Sequence, residues 1–362
     1  MKRCKLSSFP THNAFYRGQA FVATSLPVET YETVRARFVG GAQRDFTCPF
    51  MAEYGVSDKL QPDDGFRIAS FAGTINVAAG AEETVVIVIG QTPDINKARM
   101  IITTYRDRAT ASAALHSTKN WWADMLSVMR IQTSDQGFDR MVNDWLPYQV
   151  LAAHLWGRIG PNQRSGGYGY RDQLQDMLPL LYLYPEMARR QILLHAGQQF
   201  FAGDVMQWWH QSWEDRTGLG VRNRASDPHL WLPYLVYQYA EATGDLSILD
   251  EELCYLEGRR IPRDREGIMF APRPSRDREP LYQHCIRAID LTLERLGQHG
   301  LPLIGTGDWN DGLNLVGYQG RGESIWLGFF LYDVLVHFAP FAGIKEGRKK
   351  EQHYLAEAQK LR

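Results

Sequence analysis

Residues 172–201 read DQLQDMLPLLYLYPEMARRQILLHAGQQFF, and the spacing of the apolar residues in this stretch indicates how most of the chain folds. They recur three and four positions apart over 172–183 and again from Pro185 to Phe201, which predicts two consecutive helices. Repeated helix and loop, without intervening strands, predicts a mainly α domain in which paired helices wind into a toroid, with the loops at one end converging on a single site. The same spacing returns in five more segments: 139–156, 228–242, 247–256, 281–296 and 323–338.

The first part of the chain shows a two-residue period instead. Residues 31–40 alternate in this way, 65–72 form a second predicted strand, and the β-branched run at 84–90 predicts a buried strand. From Asn96 the period becomes helical. We therefore expect three regions in chain order: a partial β-sandwich over 1–106, a helical linker over 107–134 and a helical catalytic domain over 135–362.

Charge and composition narrow the classes of function. The 362 residues carry 40 basic and 41 acidic side chains, so a net charge of −1 offers no field for nucleic acid or for an anionic membrane. We expect no secretory leader and no stretch that approaches the ~18 apolar residues of a membrane span. The expectation is a soluble, cytoplasmic chain without direct membrane contact. Four scattered cysteines without CxxC pairs indicate neither a disulfide framework nor a metal site.

Residues 305–312, GTGDWNDG, carry the strongest chemical signal. Two carboxylates, a tryptophan and an amide stand together between glycines. Carboxylates transfer protons or bind hydroxyl groups, an indole stacks on a sugar ring, and glycines let the backbone approach a ligand. The motif therefore predicts a carbohydrate site at Asp308, Trp309 and Asp311. The alternative is a turn whose Asp and Asn side chains only cap the next helix.

Three more loops, each predicted to precede a helix, carry groups that suit the same ligand. Arg171 and Asp172 follow a glycine and tyrosine loop, and Trp208 and Trp209 stand together. Arg222 and Arg224 lie in a glycine loop that suits an anion such as phosphate. Each has a structural alternative: a helix-terminal charge, a core tryptophan or a surface ion pair. Their common placement favours one shared site.

Seven ordered motifs lie between residues 168 and 328. They are YGYRDQLQD (168–176), GDVMQWWH (203–210), GVRNRASD (220–227), WLPY (231–234), YQHCIRAID (282–290), HGLPLIGTGDWNDGLN (299–314) and GESIWLG (322–328). Several ordered motifs are far more specific than one short pattern. In these motifs the chain resembles the inverting β-glycoside phosphorylases of glycoside hydrolase family 94. That family includes cellobiose and chitobiose phosphorylases and the phosphorylase-like domain of cyclic β-1,2-glucan synthase.

The resemblance implies a β-sandwich, a helical linker and an (α/α)6 barrel. It implies that Asp311 is the general acid, and that inorganic phosphate, as co-substrate, attacks the anomeric carbon from the opposite face and replaces a catalytic base. No cofactor is implied. Trp309 and Asp172 correspond to residues that hold the donor sugar, Arg171 is a weaker candidate, and Asp308 is a supporting residue.

Departures from the family pattern refine these expectations. Cellobiose and chitobiose phosphorylases carry an arginine where this chain has Gly166, whereas the β-1,2-glucan branch tends to have glycine, so a β-1,2-linked glucan is the preferred substrate. Pro228 and Gln283 replace an Asp and a Glu that are common in the family. Six helix pairs need twelve helices, but about seven or eight follow the linker. We therefore expect an incomplete barrel, inactive alone, from a longer phosphorylase or from the cytosolic part of a membrane-bound synthase.

Two other functions stay open. An inverting hydrolase on the same barrel needs a carboxylate base, for which Asp176, Asp204 and Glu323 are the loop candidates. A non-catalytic module that binds glucan inside a larger synthase needs no base. The sequence leaves the linkage, the chain length of the glucan and homodimer formation undetermined.

Overall fold

The chain divides into two compact units, Met1–Met125 and Leu126–Arg362. The computed structural model describes residues 19–40, 44–55, 67–158, 166–211 and 217–362. The first two residues of the strand predicted at 65–72 therefore lie outside the described residues.

The described residues of the first unit form four strands in two antiparallel pairs, β1 with β4 and β2 with β3. Two short helices and two longer ones accompany them. The strands are β1 (Gln19–Thr24), β2 (Thr30–Val34), β3 (Arg67–Ala72) and β4 (Ile87–Thr92). The helices are α1 (Arg35–Val39), α2 (Phe50–Tyr54), α3 (Ile95–Tyr105) and α4 (Arg108–Leu126).

The strand predicted over 31–40 is wrong in its second half, because the chain leaves β2 at Val34 and enters α1. The carboxylate of Glu32, 1% exposed, accepts the backbone N–H groups of Thr33 at 2.8 Å and Val34 at 2.9 Å. A side chain that takes up backbone donors in this way competes with the strand ladder, so the extended conformation ends here.

The strand predicted at 84–90 is present as β4, but the expectation that it is buried is wrong. Ile87 is 61% exposed and Ile89 is 76% exposed. Gly90 faces the ring of Phe21 on β1 so closely that a Cβ would lie 2.5 Å from it. A β-branched run indicates a strand, but it does not indicate which of the two faces another layer covers.

The second unit contains most of the predicted helices, with shifted ends. Residues 136–156 form one continuous helical segment in which π turns, Met141–Trp145 and Val150–Trp156, alternate with α5 (Gln136–Arg140) and α6 (Leu146–Gln149). The remaining helices are α7 (Tyr170–Asp176), α8 (Pro185–Ala196), α9 (Trp231–Thr243), α10 (Leu281–Leu293), α11 (Asn314–Gly317), α12 (Ile325–Glu346) and α13 (Arg348–Leu361), with 3-10 turns at Leu178–Leu180, Pro228–Leu230 and Leu246–Asp250.

The apolar faces of these helices form the core of the second unit. The fully buried side chains include Leu235 and Val236 of α9, Ile289 of α10, and Val334 and Leu335 of α12. This agrees with the helical spacing in the sequence. That these helices belong to an (α/α)6 barrel stays a prediction.

The expectation of helices without strands is wrong for the second unit. Four antiparallel strands form a sheet in the order β5–β6–β7–β9, and β8 pairs with β10. Most of the loop motif that holds both tryptophans is strand β6, and Arg222 lies on β7. The strands are β5 (Tyr168–Gly169), β6 (Met206–Gln211), β7 (Thr217–Asn223), β8 (Glu252–Glu257), β9 (Gly267–Phe270) and β10 (Arg273–Pro280).

The helix predicted at 247–256 is wrong as well. Asp245 caps only a short 3-10 turn, Leu246–Asp250, and the chain then becomes extended in β8. Tyr255 and Leu256 are buried at the end of that strand. Short apolar runs of this kind suit a buried strand as well as a helix, and tertiary packing decides between them.

One described helix, α12, is long and apolar enough to cross a membrane by length and composition alone. The sequence expectation that no such stretch exists is therefore corrected. More than half of its most apolar window is buried inside the unit, and Pro340 lies within it. Core helices of soluble proteins commonly pass the same test of length and composition.

Candidate active site

The start of the loop 305–312 is fixed by the segment that follows β7. Gly305 forms a β-bridge with Ala225, and the N–H of Thr306 donates to the carbonyl of Arg224 at 3.1 Å. Gly305 has a φ of +61°, and a Cβ there would lie 2.0 Å from the same carbonyl oxygen. Only glycine fits this close approach of two backbones, which explains the first glycine of the motif.

Arg171, in the first turn of α7, joins three carboxyl-bearing residues. Its Nη1 donates to Asp227 Oδ1 at 3.0 Å and to the carbonyl of Asp308 at 2.8 Å, while its Nη2 donates to Asp311 Oδ1 at 2.6 Å. The Arg171 side chain is only 10% exposed. A buried guanidinium fork with charge-assisted bonds holds its partners in a defined geometry. The resemblance treats Arg171 as a weak sugar-binding candidate, but the structure makes it the organiser of the loop.

Asp227 is the buried carboxylate that pairs with the guanidinium of Arg171. It is 0% exposed and also accepts the indole N–H of Trp231 at 3.0 Å. Burial raises the pKa of Asp227 to about 6, although Arg171 and Trp231 both act in the opposite direction. Desolvation of the charged form therefore outweighs the pairing.

Asp311 is the exposed partner of this network. Its side chain is 77% exposed although one oxygen is held by Arg171. It lines a cavity of about 410 Å³ whose wall also carries the amides of Gln207, Asn223 and Asn314. A carboxylate held at one oxygen and open at the other can reach a ligand, and amides suit the hydroxyl groups of a sugar.

Trp309 and Asp308, which flank the same turn, have opposite environments. The Trp309 ring is 45% exposed, and its Nε1 donates to Gln175 Oε1 on α7 at 3.1 Å, so an indole face is presented in a fixed direction. Asp308 is 4% exposed. Its carboxylate accepts the N–H of Asn310 at 2.8 Å and the hydroxyl of Ser324 at 2.5 Å. Asp308 thus shapes the loop, and its predicted contact with substrate stays a prediction.

Asp172 follows Arg171 on α7 and is half-buried. Gly169 lies against it, since a Cβ at position 169 would be 2.0 Å from Asp172 Oδ2. One turn further, Asp176 pairs with His154, Oδ1 to Nδ1 at 3.0 Å. Burial raises the pKa of Asp176 to about 6, opposed by His154 and supported by Asp172.

The two adjacent tryptophans do not share one environment. In strand β6 successive side chains point to opposite faces. Trp209 is 2% exposed and stacks on Tyr168, with ring centroids 5.3 Å apart. Trp208 is half-buried and lies edge-on to His210. The structure therefore places Trp209 in the core, while the substrate roles predicted for both residues stay predictions.

The predicted phosphate-binding arginines are occupied by protein groups. Arg222, 6% exposed, forms a bidentate pair with Asp204 at 2.6 and 2.7 Å. Arg224 donates to the carbonyls of Pro262 at 3.0 Å and of Ile261 at 3.2 Å. None of these contacts brings either arginine to Asp311, so the role of Arg222 and Arg224 in binding phosphate stays a prediction.

Sequence reasoning missed Glu266, which lines the cavity beside Asp311 and accepts the amide of Asn314 at 3.0 Å. It stands in the charged run RDREG, which has the appearance of a solvated loop. The three carboxylates named from the sequence as candidate bases do not line this cavity. Asp204 pairs with Arg222, Asp176 with His154 and Glu323 with His299. Within the described residues, no group of three His, Cys, Asp or Glu side chains is arranged to hold a metal ion.

Comparisons with known proteins agree with these motifs. The Glycosyl hydrolase 94 supersandwich domain matches residues 2–108, and the catalytic domain of the Glycosyl hydrolase 94 superfamily matches residues 121–362. Cyclic beta-(1,2)-glucan synthase NdvB of Rhizobium meliloti (strain 1021) is 36% identical over 332 residues, which cover 91% of this chain and 12% of that protein.

Two phosphorylases are similar at lower identity. N,N'-diacetylchitobiose phosphorylase of Vibrio proteolyticus is 26% identical over 90% of this chain and 41% of its own length. Cellobionic acid phosphorylase of Neurospora crassa is 29% identical over 55% of this chain and 22% of its own length. The chain thus spans less than half the length of each of these relatives. With both domain types matched in order over nearly its whole length, the chain belongs to glycoside hydrolase family 94, carrying supersandwich and catalytic domain sequence.

Proposed function

We propose that this chain carries the acid catalyst of an inverting glycoside phosphorylase that acts on a β-linked glucan. Phosphate and the glucan are its substrates, and α-glucose 1-phosphate and a shortened glucan are its products. The supporting observation is the carboxylate of Asp311, which Arg171 holds at 2.6 Å and which nevertheless stays 77% exposed on a cavity with amide walls. A positioned and accessible carboxyl group is what proton transfer to a glycosidic oxygen requires.

The reaction needs one protein carboxyl group and one anionic nucleophile. The carboxyl proton of Asp311 moves to the glycosidic oxygen as the bond to the anomeric carbon breaks. A phosphate oxygen forms the new bond from the opposite face, so the configuration inverts. Phosphate at neutral pH is already anionic and needs only to be positioned, which removes the need for a base. Trp309 supplies an indole face for the donor sugar, and Asp172 accepts hydrogen bonds from sugar hydroxyl groups.

The preferred glucan is β-1,2-linked. Gly166 stands where an arginine is expected in cellobiose and chitobiose phosphorylases, and the similarity to a protein named cyclic beta-(1,2)-glucan synthase points the same way. The chain spans only 12% of that protein. We therefore propose two kinds of longer protein to which it could belong: a membrane-bound synthase, of which it would be a cytosolic part, or a cytoplasmic phosphorylase.

The test measures α-glucose 1-phosphate from β-1,2-glucooligosaccharides, cellobiose and N,N'-diacetylchitobiose, each with and without phosphate. The 362-residue chain is assayed beside the longer protein that is expected to contain it. We expect phosphate-dependent product from the longer protein with β-1,2-glucans, and a loss of at least about a hundredfold in Asp311→Asn with an unchanged circular dichroism spectrum. The absence of glucose 1-phosphate from every glucan would refute the proposal. Robust activity of the 362-residue chain alone would refute only the expectation that it is inactive.

Glu266 favours one alternative, inverting hydrolysis. An inverting hydrolase needs a second carboxylate to activate water, and Glu266 lines the same cavity as Asp311. A hydrolase releases free reducing sugar in phosphate-free buffer and loses that activity in Glu266→Gln. Under phosphorolysis, Glu266→Gln keeps the dependence on phosphate and releases no reducing sugar without it.

A further inference from the structure

The indole of Trp309 is held by a residue outside its own loop. Gly307 and Gly312, on either side of it, have positive φ values of +149° and +83°. Asp308 is buried, so the turn is fixed just before Trp309, but the Trp309 side chain itself is 45% exposed. A half-exposed side chain in a glycine-rich loop needs an outside contact to keep one orientation.

Two contacts of this indole lie within the described residues. Its Nε1 donates to Gln175 Oε1 at 3.1 Å, and its ring centroid lies 6.3 Å from that of Trp326, with the planes tilted by 32°. Aromatic pairs interact between about 4.5 and 7 Å, so the contact with Trp326 is near the outer limit. A hydrogen bond is more directional than a distant ring contact. Gln175 is therefore the partner with more control over the direction of the indole.

Gln175 lies on the same helix as the residue that holds the acid. Arg171 and Gln175 are four positions apart on α7, and residues at this spacing share one face of a helix. Arg171 donates to Asp311 Oδ1 at 2.6 Å, and Gln175 accepts the indole N–H. At 1.5 Å of rise per residue, the two attachment points are about 6 Å apart along the helix axis. One helix face thus binds both the carboxylate and the indole of the loop.

The helix that carries Gln175 is anchored on two sides. The side chain of Gln173, 2% exposed, donates to the carbonyls of His154 at 3.3 Å and Leu155 at 3.4 Å. It also accepts the amide of Gln191 on α8 at 2.8 Å. Asp176, at the end of α7, pairs with His154 at 3.0 Å. A helix fixed by such bonds is a rigid support for the groups that it positions.

We propose that Gln175 is the positioning residue that directs the Trp309 indole toward the donor sugar and thereby places that sugar against Asp311. This inference rests on the proposed function for the presence of a sugar at this position. Gln175 acts through the indole and supplies no proton to the reaction. A sugar that meets a misdirected indole binds more weakly, because the two faces no longer align.

The kinetic test uses the longer protein and the glucan from which it releases glucose 1-phosphate. Leucine has no acceptor, so Gln175→Leu removes the hydrogen bond, and Trp309→Phe removes the same bond from its donor side. We expect Gln175→Leu to raise KM for the glucan about two- to fivefold, the net effect of one hydrogen bond, with kcat nearly unchanged. In the Trp309→Phe background the same substitution should leave KM unchanged, because the bond is already absent.

A second measurement is independent of turnover. In the 362-residue chain with isotope-labelled tryptophan, nuclear magnetic resonance detects the indole N–H groups, and the signal of Trp309 is the one missing from Trp309→Phe. Loss of the acceptor in Gln175→Leu should shift this signal and speed its exchange with solvent. Gln175 is half-buried, and Gln175→Met, of similar length, is a second variant that serves if leucine disturbs α7.

Gln149→Leu is the matched control. Gln149 is a half-buried glutamine on α6 that lines neither the cavity beside Asp311 nor the adjoining cavity of about 690 Å³. This variant should change neither KM nor the indole signal of Trp309.

An indole signal of Trp309 that does not move in Gln175→Leu would overturn the inference. An equal rise of KM in the Trp309→Phe background would also overturn it, since Gln175 would then act without the indole. A lower kcat with unchanged KM would indicate a merely structural role and would overturn it as well. If no glucan yields glucose 1-phosphate, the proposed function fails, and the indole signal still decides: a shift supports positioning by Gln175, and no shift overturns it.

Discussion

Replacement of Arg171 by methionine tests the network at the centre of the site. Methionine keeps much of the length of the side chain but removes every donor to Asp227, to the carbonyl of Asp308 and to Asp311. Asp227 is then left at 0% exposure, and among the described residues its remaining side-chain hydrogen-bond partner is the indole N–H of Trp231. Removal of one partner of a buried pair is destabilising because the other charge stays buried.

The size of the effect follows from the pKa of Asp227, which burial raises to about 6. Because folding raises this pKa, protonated Asp227 contributes its full stability below the unfolded-state pKa of about 3.9. That contribution is lost as the pH rises through 6. Without Arg171 the pKa of Asp227 rises further, because Arg171 no longer opposes desolvation, and each further unit costs about 1.4 kcal/mol of stability at pH 7. The lost bond to the Asp308 carbonyl adds about 1.5 kcal/mol at any pH.

Urea unfolding should therefore show Arg171→Met less stable than the unmodified chain by about 3 kcal/mol at pH 7 and by about half of that at pH 5, where Asp227 is protonated in both proteins. Adding Asp227→Asn to Arg171→Met removes the titrating group and should abolish this difference between the two pH values. A loss that is the same at pH 5 and pH 7 would refute the assigned role of Asp227.

Three further predictions concern single positions. Trp309→Ala should raise KM for the glucan about two- to tenfold with a smaller effect on kcat. Tyr182→Ala, a more exposed aromatic that lines neither cavity, should not raise KM; an unchanged KM in Trp309→Ala contradicts the stacking role. Burial lowers the pKa of His229 to about 3, so its contribution to stability is complete above pH 6.5 and is lost as the pH falls toward 3. The free energy of unfolding, compared with His229→Gln, should fall by about 3 kcal/mol between pH 6.5 and 4, and parallel pH curves would contradict this. Gly317→Ala places a Cβ 1.9 Å from the Gly305 carbonyl oxygen and should therefore lower Tm strongly. The control is Gly320→Ala, since Gly320 has a φ of +70° but nothing within 4 Å of an added Cβ, and its Tm should fall far less. Equal shifts in Tm would show that the close approach at Gly317 is unimportant.

The sequence predicted which segments meet, but not the contacts that join them. The loop 305–312 and the start of α7 were expected to meet, and the structure brings Arg171 and Asp311 together. That Arg171 organises the loop was not predictable, since its partners lie 56 and 140 positions further along the chain. Spacing along a helix or strand reports near neighbours only.

The strands of the second unit account for the remaining differences. If the segment is a loop, Trp208 and Trp209 are equivalent. Because it is a strand, their side chains must face opposite sides, and the buried position of Trp209 follows from that alternation. Glu266 was missed for a related reason. A charged run before a short strand gives no sign that one of its carboxylates lines a cavity.

The three contacts of Arg171 also order events during synthesis. Its pairing with Asp227 closes a loop of 56 positions, but the bond to Asp311 must wait until 140 positions of chain have been made. At about 5–20 residues per second the second contact forms several seconds after the first becomes available. Throughout that interval Arg171 and Asp227 can be paired while the acid is still absent, so the scaffold of the site is built first and the proton donor is added last.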